Sequence, residues 1–283
     1  MSGPDGATLR VVRTGALPPA MNLAVDEHLL EHGVGTTIRI YGWEPPGLSI
    51  GRFQDAAQFA DVPGPHVIVR RPTGGGAIYH GDELTFAAVF DARRDWDTDQ
   101  TYVRLHDAVR LALQDVGVDA ERVGAEAPSP SPRPHKNAGC VAVPGRHDLV
   151  APDGRKILGS AQRRVRRPRD RVLVHGSLVL ARPAATPFVA AVADQVELQD
   201  VRATLEAAVL AALAEALEPS NPRVELPLTE GERAAAATRE QEDLERRHAS
   251  LESLLADETS RIEGARAKSL AARASLDAAP ASR

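Results

Sequence analysis

A chain of 283 residues with 43% hydrophobic residues is long enough for one large domain or two modest ones. Its net charge of −5 argues against a general nucleic-acid binder, because such proteins usually carry a basic surface. The sequence has no run of 18 apolar residues and no apolar signal segment, and its single cysteine excludes an internal disulfide. We therefore expect a cytoplasmic protein without membrane partners.

The first half of the chain alternates helices with short strands. Apolar spacing predicts helices over 19–33 and 100–116. Strands are predicted over 36–42, 47–51, 66–71 and 83–90. This alternation is typical of an α/β or α+β domain.

The second half begins with a Pro/Ser-rich segment at 125–136, which predicts a loop. A hairpin follows and turns at Pro152-Asp153-Gly154, with one arm running from Cys140 to Val150 and the other from Arg155 to Arg163. The remaining predictions are a strand over 171–180, two helices over 185–217, a charged helix over 230–257 and a frayed end from 265.

A glycine-rich loop is the first motif with chemical content. Gly74, Gly75 and Gly76 follow a predicted strand directly, and a ligand can approach their amides closely because they have no side chains. Arg71 at the entrance adds fixed hydrogen-bond donors, and His80 follows the loop. This pattern indicates a site for an anion or a carbonyl group, whereas a plain tight turn would explain the glycines alone.

The predicted hairpin carries the other candidates. Strand alternation predicts that Lys156, Leu158 and Ser160 share one face. Gly159 lets a ligand or a neighbouring backbone come close. The amine of Lys156 can act as a base, or stay charged and hold an oxygen. If the register brings Cys140 to Lys156, the cation favours the nucleophilic thiolate; otherwise Cys140 is a small buried hydrophobe.

Ordered motifs over roughly residues 8–215 resemble the catalytic-domain family of the biotin and lipoate protein ligases. They are Met21–Glu27, Ile38–Trp43, Leu48–Gln54, Arg70–His80, Arg155–Gln162 and His175–Leu178. The resemblance implies an α+β fold in which helices flank a central, mostly antiparallel sheet, as in class II tRNA synthetases. It places the catalytic domain at 8–218, and we expect 219–283 to form a charged helical and partly disordered tail.

Within this family, the chain resembles the cysteine-dependent octanoyl-[acyl-carrier-protein]:protein N-octanoyltransferases most. Cys140 precedes the hairpin lysine as their nucleophile does, and Glu83 to Phe86 follows the glycine loop as in that group. The resemblance implies that Cys140 and Lys156 are catalytic. The residues it implies for substrate binding are Arg71, Gly74, Gly75, Gly76, His80, Gly159, Ser160 and Ala161.

The same resemblance predicts partners and leaves alternatives open. An octanoyltransferase takes its acyl group from acyl carrier protein and delivers it to a lipoyl domain or the glycine-cleavage H protein, without a metal or other cofactor. Gly76 and the Ile78-Tyr79 pair look more like the ATP- and Mg²⁺-dependent lipoate–protein ligases, in which Cys140 would be a bystander. Octanoyl amidotransfer between carrier proteins and non-catalytic binding of acylated carriers are the remaining alternatives.

Overall fold

The computed structural model describes residues 8–59, 67–124 and 143–277. Cys140, the predicted nucleophile, and the predicted loop at 125–136 lie outside these residues. The chain divides into two compact units between Ala236 and Ala237. The first unit contains the sheets and the predicted site, and the second contains most of the last helix.

Two sheets form the centre of the first unit. In chain order, the strands are β1 (Leu9–Leu17), β2 (Thr37–Trp43), β3 (Gly47–Ile50), β4 (Val67–Arg70), β5 (Ile78–His80), β6 (Glu83–Asp91), β7 (Glu121–Arg122), β8 (Leu149–Val150), β9 (Lys156–Val165), β10 (Arg171–Val179) and β11 (Arg223–Glu225). Within the described residues, eight strands form the larger sheet in the order β11-β1-β2-β6-β10-β9-β8-β7. Only β1 pairs in parallel there, with β11 and β2, so the mostly antiparallel sheet is confirmed.

The smaller sheet, ordered β4-β3-β5, holds the glycine loop. β3 pairs in parallel with β4 and antiparallel with β5. The loop at 71–77 connects β4 to β5, so both of its ends are anchored on the same central strand. The predicted strand before the glycines is therefore confirmed, over Val67–Arg70.

Helices cover both faces of the larger sheet. The helices on the sheet are α1 (Pro19–His32), α2 (Thr98–Asp115) and α3 (Leu198–Leu217), and α4 (Glu230–Asp277) follows them in the chain. α1 buries Leu23 and Leu29 with Leu173 of the sheet. On the opposite face, α2 and α3 pack on the sheet with the buried side chains Leu105, Val109, Leu113, Leu205, Val209 and Leu213. Each such side chain contributes about 1.5–3 kcal/mol by leaving water.

A capping box fixes the start of α2. The Asp97 carboxylate accepts a hydrogen bond from the Gln100 amide at 2.7 Å, and the Gln100 side chain accepts one from the Asp97 amide at 2.9 Å. Two amides at the helix end are satisfied in this way.

Two predictions about the elements were wrong, and the strand β1 was missed. The segment 185–217 holds one α-helix, α3, because the chain before it is irregular apart from a 3₁₀ turn at Val192–Asp194. β1 escaped prediction because its alternation breaks at a bulge, where Gly15 adopts a positive φ of 65°. The last helix does not fray at 265 but continues to Asp277.

The hairpin of β8 and β9 has an irregular register. Leu149 lies opposite Leu158, and Val150 lies opposite Lys156, so that Ile157 is an extra residue on β9. Such a bulge interrupts the alternation of side chains. The prediction that Lys156 shares a face with Leu158 and Ser160 is therefore wrong: a Cβ on Gly159 would overlap the Lys156 amine, so Lys156 lies on the face of Gly159.

Candidate active site

A cavity of about 340 Å³ lies between the glycine loop, α2 and the open edge of β9. The loop and β5 contribute Arg71, Gly74, Gly75, Gly76, Ala77 and Ile78 to its wall. The other side is lined by Asp99, Tyr102, His106, Val143, Gly145, Arg146, His147, Asp148, Lys156, Ser160, Ala161 and Gln162. This volume is typical of a small-molecule site.

Lys156 is held in this cavity by an ion pair. Its Nζ lies 2.8 Å from Asp148 Oδ2, and the two side chains are only 15% and 12% exposed. Asp148 Oδ2 also accepts a hydrogen bond of 2.7 Å from the amide of Gly145. The lysine stem passes over Gly159, where any larger residue would displace the amine. One carboxylate and one glycine thus fix the position of the amine.

The two arginines before the loop hold two different turns. Arg71 is 3% exposed, and its Nη2 donates to the carbonyls of Gly74 at 2.7 Å and Gly76 at 2.6 Å. Arg70 donates to the carbonyls of Gly51, Arg52 and Gln54 in the turn after β3. A Cβ on Gly51 would overlap the carbonyl of Gly75, so the two turns are in direct contact.

His80 lies in a buried polar cluster rather than in the wall of the 340 Å³ cavity. Its Nδ1 is 2.7 Å from Glu83 Oε1, its Nε2 is 2.7 Å from Ser49 Oγ, and its ring stacks on Trp43 at 3.7 Å. Ser177 Oγ donates to the same carboxylate oxygen of Glu83 at 2.8 Å. This cluster lines a second cavity of about 20 Å³, which also touches Arg71.

A buried network beneath the loop connects it to α1. His175 Nε2 lies 2.7 Å from Thr73 Oγ1, and its Nδ1 lies 3.6 Å from Asp26. Burial alone would raise the pKa of Asp26, but Arg39 and His175 lower it below the usual value. Asp26 also accepts a hydrogen bond of 2.7 Å from the Tyr41 hydroxyl. The loop therefore rests on side chains that are themselves fixed.

On the opposite wall, His106 of α2 contacts β9. Its Nε2 lies 2.6 Å from Ser160 Oγ, and its Nδ1 bonds to the backbone carbonyl oxygen of His147. Burial lowers the pKa of His106 from 6.5 to about 4. Tyr102 stacks on the His147 ring at 5.1 Å and accepts a hydrogen bond of 3.1 Å from the Gln162 amide.

The cavity brings together most of the residues that sequence reasoning selected. Its wall includes Arg71, Gly74, Gly75, Gly76, Lys156, Ser160 and Ala161. Gly159 lies under the Lys156 amine, whereas His80 lines the smaller cavity. Cys140 lies outside the described residues, so its position relative to Lys156 stays a prediction.

Sequence reasoning missed Asp148 and His106. The Pro-Asp-Gly turn could have pointed to Asp148, because an antiparallel hairpin through that turn brings it towards residue 159. His106 interrupts the apolar stripe that includes Val109 and Leu113, and a polar residue on such a stripe needs a partner.

In 8–59, 67–124 and 143–277, no group of three His, Cys, Asp or Glu side chains is arranged for a metal ion. No helix over the same residues could cross a bilayer.

Comparison with known proteins gives a family and a fold. The model of the family "Lipoyl protein ligase A/B catalytic domain" matches residues 18–222. Over 186 residues, the chain is 36% identical to octanoyltransferase LipM of Moorella thermoacetica, covering 61% of this chain and 65% of that protein. Over 189 residues, it is 35% identical to octanoyltransferase LipM of Geobacillus kaustophilus, covering 60% and 65% respectively.

A solved structure of lipoate-protein ligase A bound with ATP has the same fold. It superposes with a TM-score of 0.61 and 23% identity, and the match covers 84% of this chain and 95% of that one. The class II synthetase-like architecture predicted from the sequence motifs is thereby confirmed. The chain spans 65% of the length of the two octanoyltransferases just described, so their activity is not transferred by similarity alone.

Proposed function

Because the chain belongs to the lipoyl protein ligase A/B catalytic-domain family, we propose that it is an octanoyltransferase. It takes an octanoyl group from a carrier-protein thioester onto Cys140 and passes it to a lysine of a lipoyl-carrier protein. Similarity to the two octanoyltransferases supports this choice among the reactions of the family. The likeness to lipoate-protein ligase A, at 23% identity, supports the fold only.

One geometric observation carries the proposal: the Lys156 amine is fixed in the cavity that the glycine loop also lines. The amine pairs with Asp148 at 2.8 Å and lies directly over Gly159. Both acyl-transfer steps need a cation beside the developing thiolate and oxyanion, and the second step also needs a group that accepts a proton from the attacking amine. A lysine can serve both needs, whereas an arginine keeps its proton at neutral pH.

The walls of the cavity suit an acyl thioester. Ala77, Ile78 and Val143 offer apolar surface for the tail, and they line the same cavity as Lys156. About 340 Å³ exceeds what an eight-carbon chain needs, so part of the thiol arm fits as well. The Arg71 bonds to the Gly74 and Gly76 carbonyls fix the loop that the acyl group would approach.

The proposed reaction has two balanced steps. The Cys140 thiolate attacks the thioester carbonyl, a new carbon–sulfur bond forms, and the carrier thiolate leaves and takes up a proton from the Lys156 ammonium group, which becomes a neutral amine. The neutral amine of the acceptor lysine then attacks the Cys140 thioester. An amide bond forms, the Cys140 thiolate leaves, and the amine proton passes to Lys156. Conversion of a thioester to an amide is downhill, so we propose that the reaction needs no ATP.

The proposed partners follow from this chemistry. The donor is an octanoylated acyl carrier protein, and the acceptor is a lipoyl domain or a glycine-cleavage H protein. Because one cavity serves both substrates in turn, the carriers must bind alternately, and steady-state kinetics should be of the ping-pong type.

A transfer assay with and without ATP tests the proposal. The protein is incubated with octanoyl-acyl carrier protein and an apo lipoyl domain, and the acceptor lysine is analysed by mass spectrometry. We expect octanoylation without ATP. Modification only from free octanoate or lipoate with ATP and Mg²⁺ would instead indicate a ligase. Transfer only from octanoylated H protein would indicate an amidotransferase, and binding without transfer a non-catalytic carrier binder.

A further inference from the structure

A serine–histidine pair in the wall of the cavity has no part in the mechanism above. Ser160 lies on β9, one residue from Gly159, and His106 lies on α2 with none of its surface exposed. The distance between Ser160 Oγ and His106 Nε2 is 2.6 Å. Because both residues line the cavity that holds Lys156, the direction of this hydrogen bond decides what Ser160 can offer a substrate.

The two hydrogen bonds of the His106 ring determine that direction. His106 Nδ1 bonds to the carbonyl oxygen of His147, and a carbonyl can only accept, so Nδ1 carries the ring proton. Burial lowers the pKa of His106 to about 4, and the ring is therefore neutral near pH 7. A neutral ring with its proton on Nδ1 has a lone pair at Nε2. The Ser160 hydroxyl therefore donates to His106.

The neighbours of His106 hold this arrangement in place. The His147 ring, whose backbone carbonyl orients His106, stacks on Tyr102 with an interplanar angle of 17° and lies 3.0 Å from Asp99 through Nε2. The Tyr102 hydroxyl in turn accepts a hydrogen bond from the Gln162 amide of β9. Both α2 and β9 thus contribute to fixing the ring, and the Ser160 hydroxyl cannot rotate without losing its partner.

A serine oxygen whose proton is engaged offers only lone pairs to a ligand. It can accept a hydrogen bond from an N–H group but cannot donate one. The reacting part of an acyl thioester has a carbonyl oxygen and a sulfur, and both are acceptors. Of the two reacting groups in the proposed reaction, only the amine of the acceptor lysine carries hydrogens that Ser160 can bind.

We propose that Ser160 Oγ accepts an N–H of the attacking lysine amine, and that His106 is the positioning residue that keeps the serine in this orientation. The assignment rests on the proposed function and deepens it, because it gives the second step a binding group that the first step does not use. His106 does not take the amine proton, since so weak a base is a poor acceptor at neutral pH. That proton goes to Lys156.

The test measures the two half-reactions separately. The first is acylation of the protein by S-ethyl octanethioate, a thioester that has no N–H group, followed by intact-protein mass spectrometry. The second is transfer from the purified acyl-protein to an apo lipoyl domain. In Ser160→Ala, we expect acylation within about two-fold of the unchanged protein and transfer about ten-fold slower, as for the loss of one hydrogen bond.

Variants of His106 distinguish positioning from a merely structural effect. His106→Phe frees the Ser160 hydroxyl and should slow transfer as Ser160→Ala does. The double variant should be no slower than Ser160→Ala, because His106 acts through Ser160. His106→Gln, whose amide can donate and accept at once, should recover most of the transfer rate. Ser220→Ala, at an exposed position, is the matched control for loss of a hydroxyl.

The outcomes separate this assignment from the proposed function. Slower transfer with normal acylation supports the assignment. Equal slowing of both half-reactions, slowing of acylation alone, or full transfer activity in Ser160→Ala overturns it while acyl transfer itself stands. If the unchanged protein forms no acyl-protein, the proposed function fails, and the assignment fails with it.

Discussion

Lys156 is the residue whose surroundings are most closely defined. The bulge at Ile157 turns its side chain onto the face of Gly159, and Asp148 pairs with the amine. The sequence motifs singled out the lysine and the glycine. They did not give the face, because a one-residue bulge changes it and leaves no signal in the sequence, whereas the hairpin turn could have pointed to the carboxylate.

Replacing Asp148 by Asn should reduce acyl transfer, because the amide keeps the shape of the side chain but not the charge that pairs with Lys156. We expect a loss of at least about ten-fold in kcat. Lys156→Ala and Lys156→Arg should lose about 10²–10⁴-fold, since neither can exchange the proton. Asp153→Asn, in the exposed turn beside Arg155, is the control. Unchanged turnover in Asp148→Asn would show that acyl transfer does not need the Asp148 carboxylate.

The burial of His106 predicts how the free energy of unfolding depends on pH. Its folded-state pKa of about 4 lies below the ordinary 6.5, so the unfolded chain binds a proton first as the pH falls. Stability should therefore be lost between about pH 6.5 and pH 4, by roughly 3 kcal/mol from this group. Urea unfolding of His106→Gln at pH 7 and pH 4.5 should show a smaller difference than the parent protein. Equal differences would contradict the assigned protonation state.

At the scale of elements, the glycine loop is stabilised from three sides. Arg71 holds its carbonyls, Thr73 rests on His175, and Gly51 of the neighbouring turn contacts Gly75. The order Arg-Arg, three glycines and histidine predicted a loop there. It could not show that the arginines bind backbone carbonyls, because that depends on the contact between two turns that lie far apart in the sequence.

Arg71→Lys should loosen the loop, because an ammonium group cannot bridge the carbonyls of Gly74, Gly76 and Ser49 as the guanidinium does. We expect faster amide hydrogen exchange over 73–77 and a higher KM for the octanoyl donor. Arg52→Lys, at an exposed position of the adjacent turn, should change neither. Unaltered exchange in Arg71→Lys would show that the loop is held without these bonds.

Hydrophobic periodicity in the sequence predicted several other elements correctly. Strands β2, β6 and β10 and helices α1 and α2 appeared in the sequence within a few residues of their observed bounds, since each has a long apolar face. β11 has three exposed residues and no such face, so only its pairing with β1 defines it.

In the molecule as a whole, the first compact unit ends at Ala236, beyond the predicted domain end at 218. β11 pairs with β1, and Leu228 and Ala236 are buried in the core around α1, so the first unit continues well past residue 218. The predicted domain end at 218 followed from the proline-containing stretch at 219–227, which does not reveal that the chain returns to the sheet edge.

Truncation after Ala236 should therefore leave thermal stability and acyl transfer close to those of the full chain. Truncation after Glu218 removes β11 and two buried apolar residues, and it should lower the melting temperature by several degrees. Calorimetry of the two proteins, beside the full chain, makes the comparison. Equal melting temperatures would mean that residues 219–236 contribute nothing to the fold.

The covalent mechanism requires that Cys140 carries the acyl group, and intact-protein mass spectrometry detects such an adduct. Because the chain has one cysteine, an adduct on sulfur has one possible position. After incubation with octanoyl-acyl carrier protein without ATP, we predict one octanoyl adduct, absent in Cys140→Ser and released by an apo lipoyl domain. No adduct in the parent protein, or the same adduct in Cys140→Ser, would contradict the covalent mechanism.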